Sequence, residues 1–289
     1  MKLSIVLTIL SVFFISCVDI TCKYLTETIH AMQIVWGYFF GITIFIFLFY
    51  FFKRMSILNV LKAKRIKLQI VRSGFLYASI GALFIGLTYI PFAEATAISF
   101  SAPIFITILS IPILKENVTF SRWISSLIGL LGTVIVLSPG SDIWHWASIM
   151  PLFTALFFSI YHILTRFINR YDSTETTLLY TGIGGLIWSS MALPFFWSPL
   201  NISHCITFLC IGFLGSIAHL CLIKSYQLSD ASLLAPYNYT KIIWAVFFGF
   251  IVFGDIPNLY TIIGTFIIIS SGIYNFRREL NLNIKNTNP

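Results

Sequence analysis

Ten runs of about twenty mostly apolar residues succeed one another along this chain, near 4–22, 31–52, 72–90, 93–114, 121–138, 147–166, 176–196, 203–225, 231–252 and 258–276. A helix needs roughly 20 apolar residues to cross about 30 Å of hydrocarbon. Inside lipid, only helices and closed barrels satisfy every backbone N–H and C=O. The runs therefore predict an all-α integral membrane protein of ten spans. Charged residues make up only 10% of the 289, against roughly a quarter in a soluble domain, and mean hydropathy is +0.91. Too few charges exist to clothe a water-facing surface, which excludes an ordinary cytosolic enzyme. The punctuation between runs is turn-like: Pro91, Ser138-Pro139-Gly140, Trp197-Ser198-Pro199 and Gly254-Asp255-Ile256-Pro257.

The net charge of +8 does not point to nucleic acid, because the basic residues lie between apolar runs and no extended polar segment could hold such a surface. With the N-terminus on the cytoplasmic side and alternating crossings, sixteen of the eighteen basic residues fall inside. Only Lys23 falls outside, and Lys241 lies within the ninth run. Miscounting the spans by one would scramble this asymmetry, so it supports an even count with both termini cytoplasmic. The first run, after Met1-Lys2, imitates a signal peptide, but nine further spans follow and a retained helix is expected. The basic stretch from Lys53 to Lys67 reads as a topology-setting loop, with an interfacial helix as the alternative. Five cysteines, Cys17, Cys22, Cys205, Cys210 and Cys221, have no metal-ligand spacing. They read as small buried hydrophobes, with a Cys22–Cys205 bridge left open.

The fourth and fifth runs share a pattern with the ninth and tenth. In each pair a long helix ends at an acidic turn, Lys115-Glu116-Asn117 or Gly254-Asp255-Ile256, and a Gly-bearing helix follows; Pro103 and Pro236 are helix-weakening positions within the fourth and ninth runs. Two halves of five helices, 1–140 and 141–276, with a short tail at 277–289, follow. Five is odd, so the second copy enters the membrane inverted, an architecture common in alternating-access carriers.

These residues carry a family resemblance. The chain resembles the EamA family of the drug/metabolite transporter superfamily through Ala93 to Pro103 and Lys115-Glu116 in the first half. The second half contributes Leu164-Thr165-Arg166, Asp172 to Thr176, Ala235 to Tyr239 and Phe253 to Pro257. The resemblance implies a ten-helix fold with a central cavity lined by helices 3, 4, 8 and 9. It looks closest to a subgroup containing S-adenosylmethionine uptake permeases of intracellular bacteria and riboflavin importers. Many members carry an Arg in helix 2, where this chain has Trp36-Gly37-Tyr38, so a substrate-anion role for that Arg is absent here.

Ionisable groups within spans are costly, so each is a candidate site. Lys241 is the most interior, and Tyr237, Asn238 and Trp244 lie three or four residues away on its helical face. An ammonium beside two rings and an amide suits a carboxylate or phosphate joined to a planar group; a snorkelling or packing Lys is the plain alternative. His219, central in the eighth run, is a cavity candidate, and Tyr89 joins the same substrate-binding set. Glu94 opens the fourth run, where the helix dipole favours an acid without any function; facing a cavity, it would meet a cation or carry a proton. Asp19 and Lys23 are spaced to pair with each other at the rim. No HExxH, GxSxG or GxxxxGK[ST] motif occurs, so neither metal, cofactor, catalytic centre nor ATP site is expected. The reading is a small-metabolite carrier of the inner membrane, with S-adenosylmethionine uptake first and riboflavin import or metabolite efflux second. A homodimer is compatible with it, and an integral-membrane enzyme would need a cluster of His, Asp or Ser that the spans lack.

Overall fold

In a computed structural model the described residues are 2–26, 28–87, 89, 92–137, 146–248, 251 and 259–287. The expected turns at Pro91, Ser138-Pro139-Gly140 and Gly254 to Pro257 lie outside them, as do the side chains of Lys23 and Glu94. The described residues are helical, with no strand among them. In order they form α1 (Lys2–Leu25), α2 (Ala31–Phe52), α3 (Ile57–Val60), α4 (Ile66–Leu87), α5 (Phe92–Ser99), α6 (Ala102–Leu109) and α7 (Phe120–Leu137). Then follow α8 (Ile149–Ile168), α9 (Thr174–Ala192), α10 (Ile202–Leu228), α11 (Ala231–Leu234), α12 (Thr240–Phe248) and α13 (Leu259–Thr287). Six helices, α1, α2, α4, α8, α9 and α10, are long and apolar enough to cross a membrane, and the apolar stretches Ala102–Leu114 and Phe120–Ile135 are shorter.

Local chemistry sets several of the ends. The His30 ring accepts from the Met32 N–H to open α2, and Ser173 accepts from Thr176 to open α9. Asn201 and His204 cap each other reciprocally at α10. The fourth and ninth runs depart from expectation: neither is one continuous helix. Between α5 and α6 the chain turns at Phe100-Ser101, just before Pro103, and after α6 it closes with a π-helical turn at Ser110–Leu114. Lys115 then takes a left-handed backbone, φ 56°. In the ninth run a 3-10 stretch at Ala235–Tyr239, opening on Pro236, separates α11 from α12. Proline removes a helical donor and clashes with the preceding turn, and neighbouring side chains take up carbonyls near these breaks. Ser159 donates to Ala102 O at 2.9 Å and Asn238 to Ala235 O at 3.2 Å.

One further expectation changes. The basic stretch is a loop holding a single helical turn, α3, and the helix behind it begins at Ile66 rather than near residue 72. Helix α13 runs without a break through residue 277, where the short tail was placed, to Thr287. All five cysteines are free.

Packing is pairwise. Helix α1 lies on α10 and α8 on α4; α2 lies against α10 and α9 against α4; α7 packs on α13, and α2 meets α9. The α2–α10 crossing is close enough to require glycine. A methyl on Gly41 would run into the Phe208 carbonyl oxygen, and one on Gly212 into the Gly41 backbone. Small residues at such crossings let backbones approach where lipid offers no hydrophobic drive between helices. The core they enclose is aromatic and aliphatic, with Tyr38, Phe39, Ile42, Tyr161, Leu179 and Tyr226 at its centre.

Candidate functional site

Three polar groupings interrupt that core. We call the end of the bundle where α1 begins proximal, and the opposite end distal.

The first grouping is a pair of opposite charges. Lys241, the second residue of α12, places Nζ 2.7 Å from Asp19 Oδ2, late in α1. Asp19 was expected to pair with Lys23, four residues on along its own helix. Packing of α1 against α12 brings a cation from another helix to it, and the Lys23 side chain lies outside the described residues. Both side chains remain partly open, 41% exposed for Lys241 and 50% for Asp19. Trp244, one turn beyond Lys241, sits edge-on to Phe13 of α1 at 4.9 Å between centroids, and Phe248 lies 5.9 Å from the same ring. The buried Trp244 Nε1 has no hydrogen-bond partner among the described residues. The arrangement offers a partly open ammonium and carboxylate beside an indole ring.

The second grouping lies in the interior. His219 of α10 is buried, and both its ring nitrogens are engaged: Tyr38 Oη is 2.9 Å from Nε2 and Tyr161 Oη 2.9 Å from Nδ1. A neutral imidazole has one donor and one acceptor, so one tyrosine accepts from it and the other donates. The ring thus ties α2, α8 and α10. Behind Tyr161, whose ring centroid is 5.2 Å from Arg72 Cζ, the fully buried guanidinium donates to Thr165 Oγ1 (3.2 Å), Thr177 O (2.8 Å) and Thr181 Oγ1 (2.7 Å). His162 Nδ1 and Tyr226 Oη also hydrogen-bond. Arg72 counted as a loop charge when the sequence was read for topology; the structure buries it. The missed signal is its neighbour Gln69, three residues earlier on the same helical face and also buried.

The third grouping closes the proximal end. The left-handed turn at Lys115 brings Glu116 across to α11. Its carboxylate accepts from Ala231 N at 2.9 Å, Ser232 N at 3.0 Å and Ser232 Oγ at 2.8 Å. Arg166 reaches Asp230 Oδ1 at 3.2 Å and the Tyr226 carbonyl, and its Nε stands 3.8 Å from Glu116. Arg122 donates to Ser232 Oγ at 2.8 Å and lies 3.4 Å from Asp230. Nearby, Asp172 accepts from Lys64 N at 2.7 Å and Gln69 Nε2 at 3.0 Å. Most of these links join a residue before 140 to one after it, and the Glu116 side chain is only 5% exposed.

Of the residues singled out from sequence, the structure brings Lys241 and Trp244 together beside Asp19. Tyr237 is buried in the core and Asn238 is bonded back to Ala235, because the 3-10 winding turns them into the protein. His219 sits in the separate interior chain. Tyr89 is exposed and packs on Trp146 at 4.9 Å. Glu94 is in α5, its side chain outside the described residues. Among the described residues no three His, Cys, Asp or Glu side chains gather as a metal site.

The model of the EamA-like transporter family matches residues 2–138 and 145–276. The chain belongs to that family. A relative, the S-adenosylmethionine uptake transporter of Rickettsia bellii, is 27% identical over 268 residues, which is 92% of this chain and 90% of the relative. That of Rickettsia conorii is 28% identical over 269 residues, again 92% and 90%. A riboflavin transporter of Brucella anthropi is 24% identical over 228 residues, 76% of this chain and 80% of the relative. A solved crystal structure, 16% identical in sequence, superposes with a TM-score of 0.81 over 94% of this chain and 96% of that chain, which shows a shared fold. The protein is thus a multi-pass EamA-like membrane transporter of small metabolites.

Proposed function

We propose that this EamA-like protein takes up S-adenosylmethionine, or a similar nucleoside-bearing zwitterion, across the inner membrane by alternating access. Its ten spans form two inverted five-helix halves, and both termini are cytoplasmic. Exchanging α1, α2 and α4 for α8, α9 and α10 maps the α1–α10 contact onto α8–α4 and α2–α10 onto α9–α4. It also sets the broken helix around Pro103 opposite the one around Pro236, and discontinuous helices commonly build binding sites in inverted-repeat carriers. The basic residues gathered between runs support the orientation.

The observation that carries the substrate reading is the half-open Asp19–Lys241 pair beside Trp244. S-adenosylmethionine presents a carboxylate, an ammonium, a sulfonium and a purine. Lys241 takes the carboxylate, Asp19 faces the cationic groups, and the indole stacks the purine. The names of the Rickettsia relatives agree with this chemistry. Riboflavin, favoured by the Brucella match, has a planar ring for Trp244 but no net charge for Asp19 or Lys241, and stands second.

Cells expressing the chain should accumulate labelled S-adenosylmethionine, and its demethylated product should displace the label. Accumulation no greater than with empty vector, or accumulation of labelled riboflavin alone, would overturn the substrate assignment.

A further inference from the structure

The α2–α4 loop has a charge and shape that transport itself does not use. Lys53, Arg54, Lys62, Lys64, Arg65 and Lys67 are all exposed, and no Asp or Glu occurs from residue 53 to residue 71. None of the six enters an ion pair among the described residues. Among the described residues, the acidic group that hydrogen-bonds to the loop is Asp172, which is buried and spent on Lys64 N and Gln69 Nε2. Its contact is with backbone, so the Lys64 ammonium stays available.

The same surface is apolar between its cations. Phe52 is 78% exposed at the end of α2 and Leu58 73% exposed on α3, with Phe51 and Ile66 also open. Two of the cations lie along aromatic rings: Lys53 Nζ is 4.7 Å from the Phe49 centroid and Arg65 Cζ 5.0 Å from that of Tyr171. Long basic side chains lie so when their stems follow hydrocarbon and their heads reach the headgroup layer.

Nor is the loop a loose tether. Val60 is buried against the core, Tyr180 Oη donates to Leu61 O at 2.9 Å, and Lys64 N is held by Asp172. Both anchors come from the second half, at the start of α9 and the turn before it. Whatever binds the loop therefore also bears on the joint between the halves.

We infer that the 53–67 loop docks onto anionic phospholipid headgroups, and that headgroups bound there stabilise the proximal end of the molecule. Six unpaired cations demand negative charge. Interleaved exposed Phe and Leu demand an apolar layer just beneath it, and only an anionic leaflet supplies both at one depth. This holds whichever solute is carried.

The test uses the purified full-length chain in neutral detergent micelles, with thermal unfolding followed as lipid is added. Phosphatidylglycerol should raise the melting temperature by several degrees, and phosphatidylcholine or inorganic phosphate should not. Raised salt should remove most of the gain, because the contacts are exposed and screened. A variant carrying Lys62→Gln, Lys64→Gln, Arg65→Gln and Lys67→Gln should lose the response, and one carrying Lys62→Arg, Lys64→Arg and Lys67→Arg should keep it. An equal rise with phosphatidylcholine, a rise with phosphate alone, or an undiminished response in the neutralised variant would overturn the inference. If that variant does not fold, the salt titration of the unaltered protein decides, and a salt-insensitive gain overturns it.

Discussion

The two ends of the bundle use the same chemical groups to opposite effect. At the proximal end Glu116 accepts three hydrogen bonds, two from backbone N–H groups of α11, and stands nearly out of reach of solvent. Its acceptor capacity is filled by the fold. At the distal side Asp19 and Lys241 touch each other once, at 2.7 Å, and both remain about half open. Charge-assisted bonds to buried, fixed donors hold a structure together, whereas an exposed pair contributes roughly 0 to 1 kcal/mol and is readily exchanged. A saturated cluster locks and an unsaturated pair is available, so sequence alone could not rank Glu116 against Asp19.

That contrast can be broken at its strongest point first. Lys241→Ala should lower uptake by about tenfold or more, a loss of roughly 1.4 kcal/mol in transition-state or substrate binding. Membrane insertion and melting temperature should stay close to those of the unaltered protein. Uptake by this variant at the original rate would make the pair a packing device.

The reciprocal exchange, Asp19→Lys with Lys241→Asp, sharpens the same point. The cross-helix pair is preserved, so stability should be kept. The charges presented to a zwitterion are reversed, so uptake should remain depressed several-fold. Recovery of transport would show that only the pairing mattered.

At the proximal end the effect should fall on stability. Glu116→Gln replaces a charged acceptor of three hydrogen bonds with a neutral amide, at a cost of about 2 kcal/mol. Hydrogen exchange should show the Ala231 and Ser232 amides losing protection, while those around Lys241 do not. Smallest is Ser232→Ala, which removes one donor to Glu116 and one acceptor from Arg122, for about 1 kcal/mol. Unchanged melting in both variants would remove the distinction between the ends.

Much of the fold was legible because membrane burial writes itself into composition. The apolar runs located α1, α2, α4, α8, α9 and α10 to within a few residues, with α4 beginning earlier than read. Pro103 and Pro236 marked where the fourth and ninth runs weaken, though not how each break is wound. The site was less legible. Lys241 stood out because an ammonium within an apolar run is conspicuous. Its partner did not, because Asp19 had an equally plausible neighbour in Lys23. Arg72 was hidden by six loop cations before it, and His219 looked available until Tyr38 and Tyr161 were found on its two nitrogens.

What the sequence determined by itself was the solvent: too few charges for water, runs long enough for lipid, and the family those runs belong to. Hydropathy is a local sum, and a chain of residues reports it without being folded. Tertiary structure alone decided which charges are spent and which are free. Glu116 meets Ala231, Asp19 meets Lys241 and Arg72 meets Thr181 across separations of more than a hundred residues, and no local pattern records a contact made by packing.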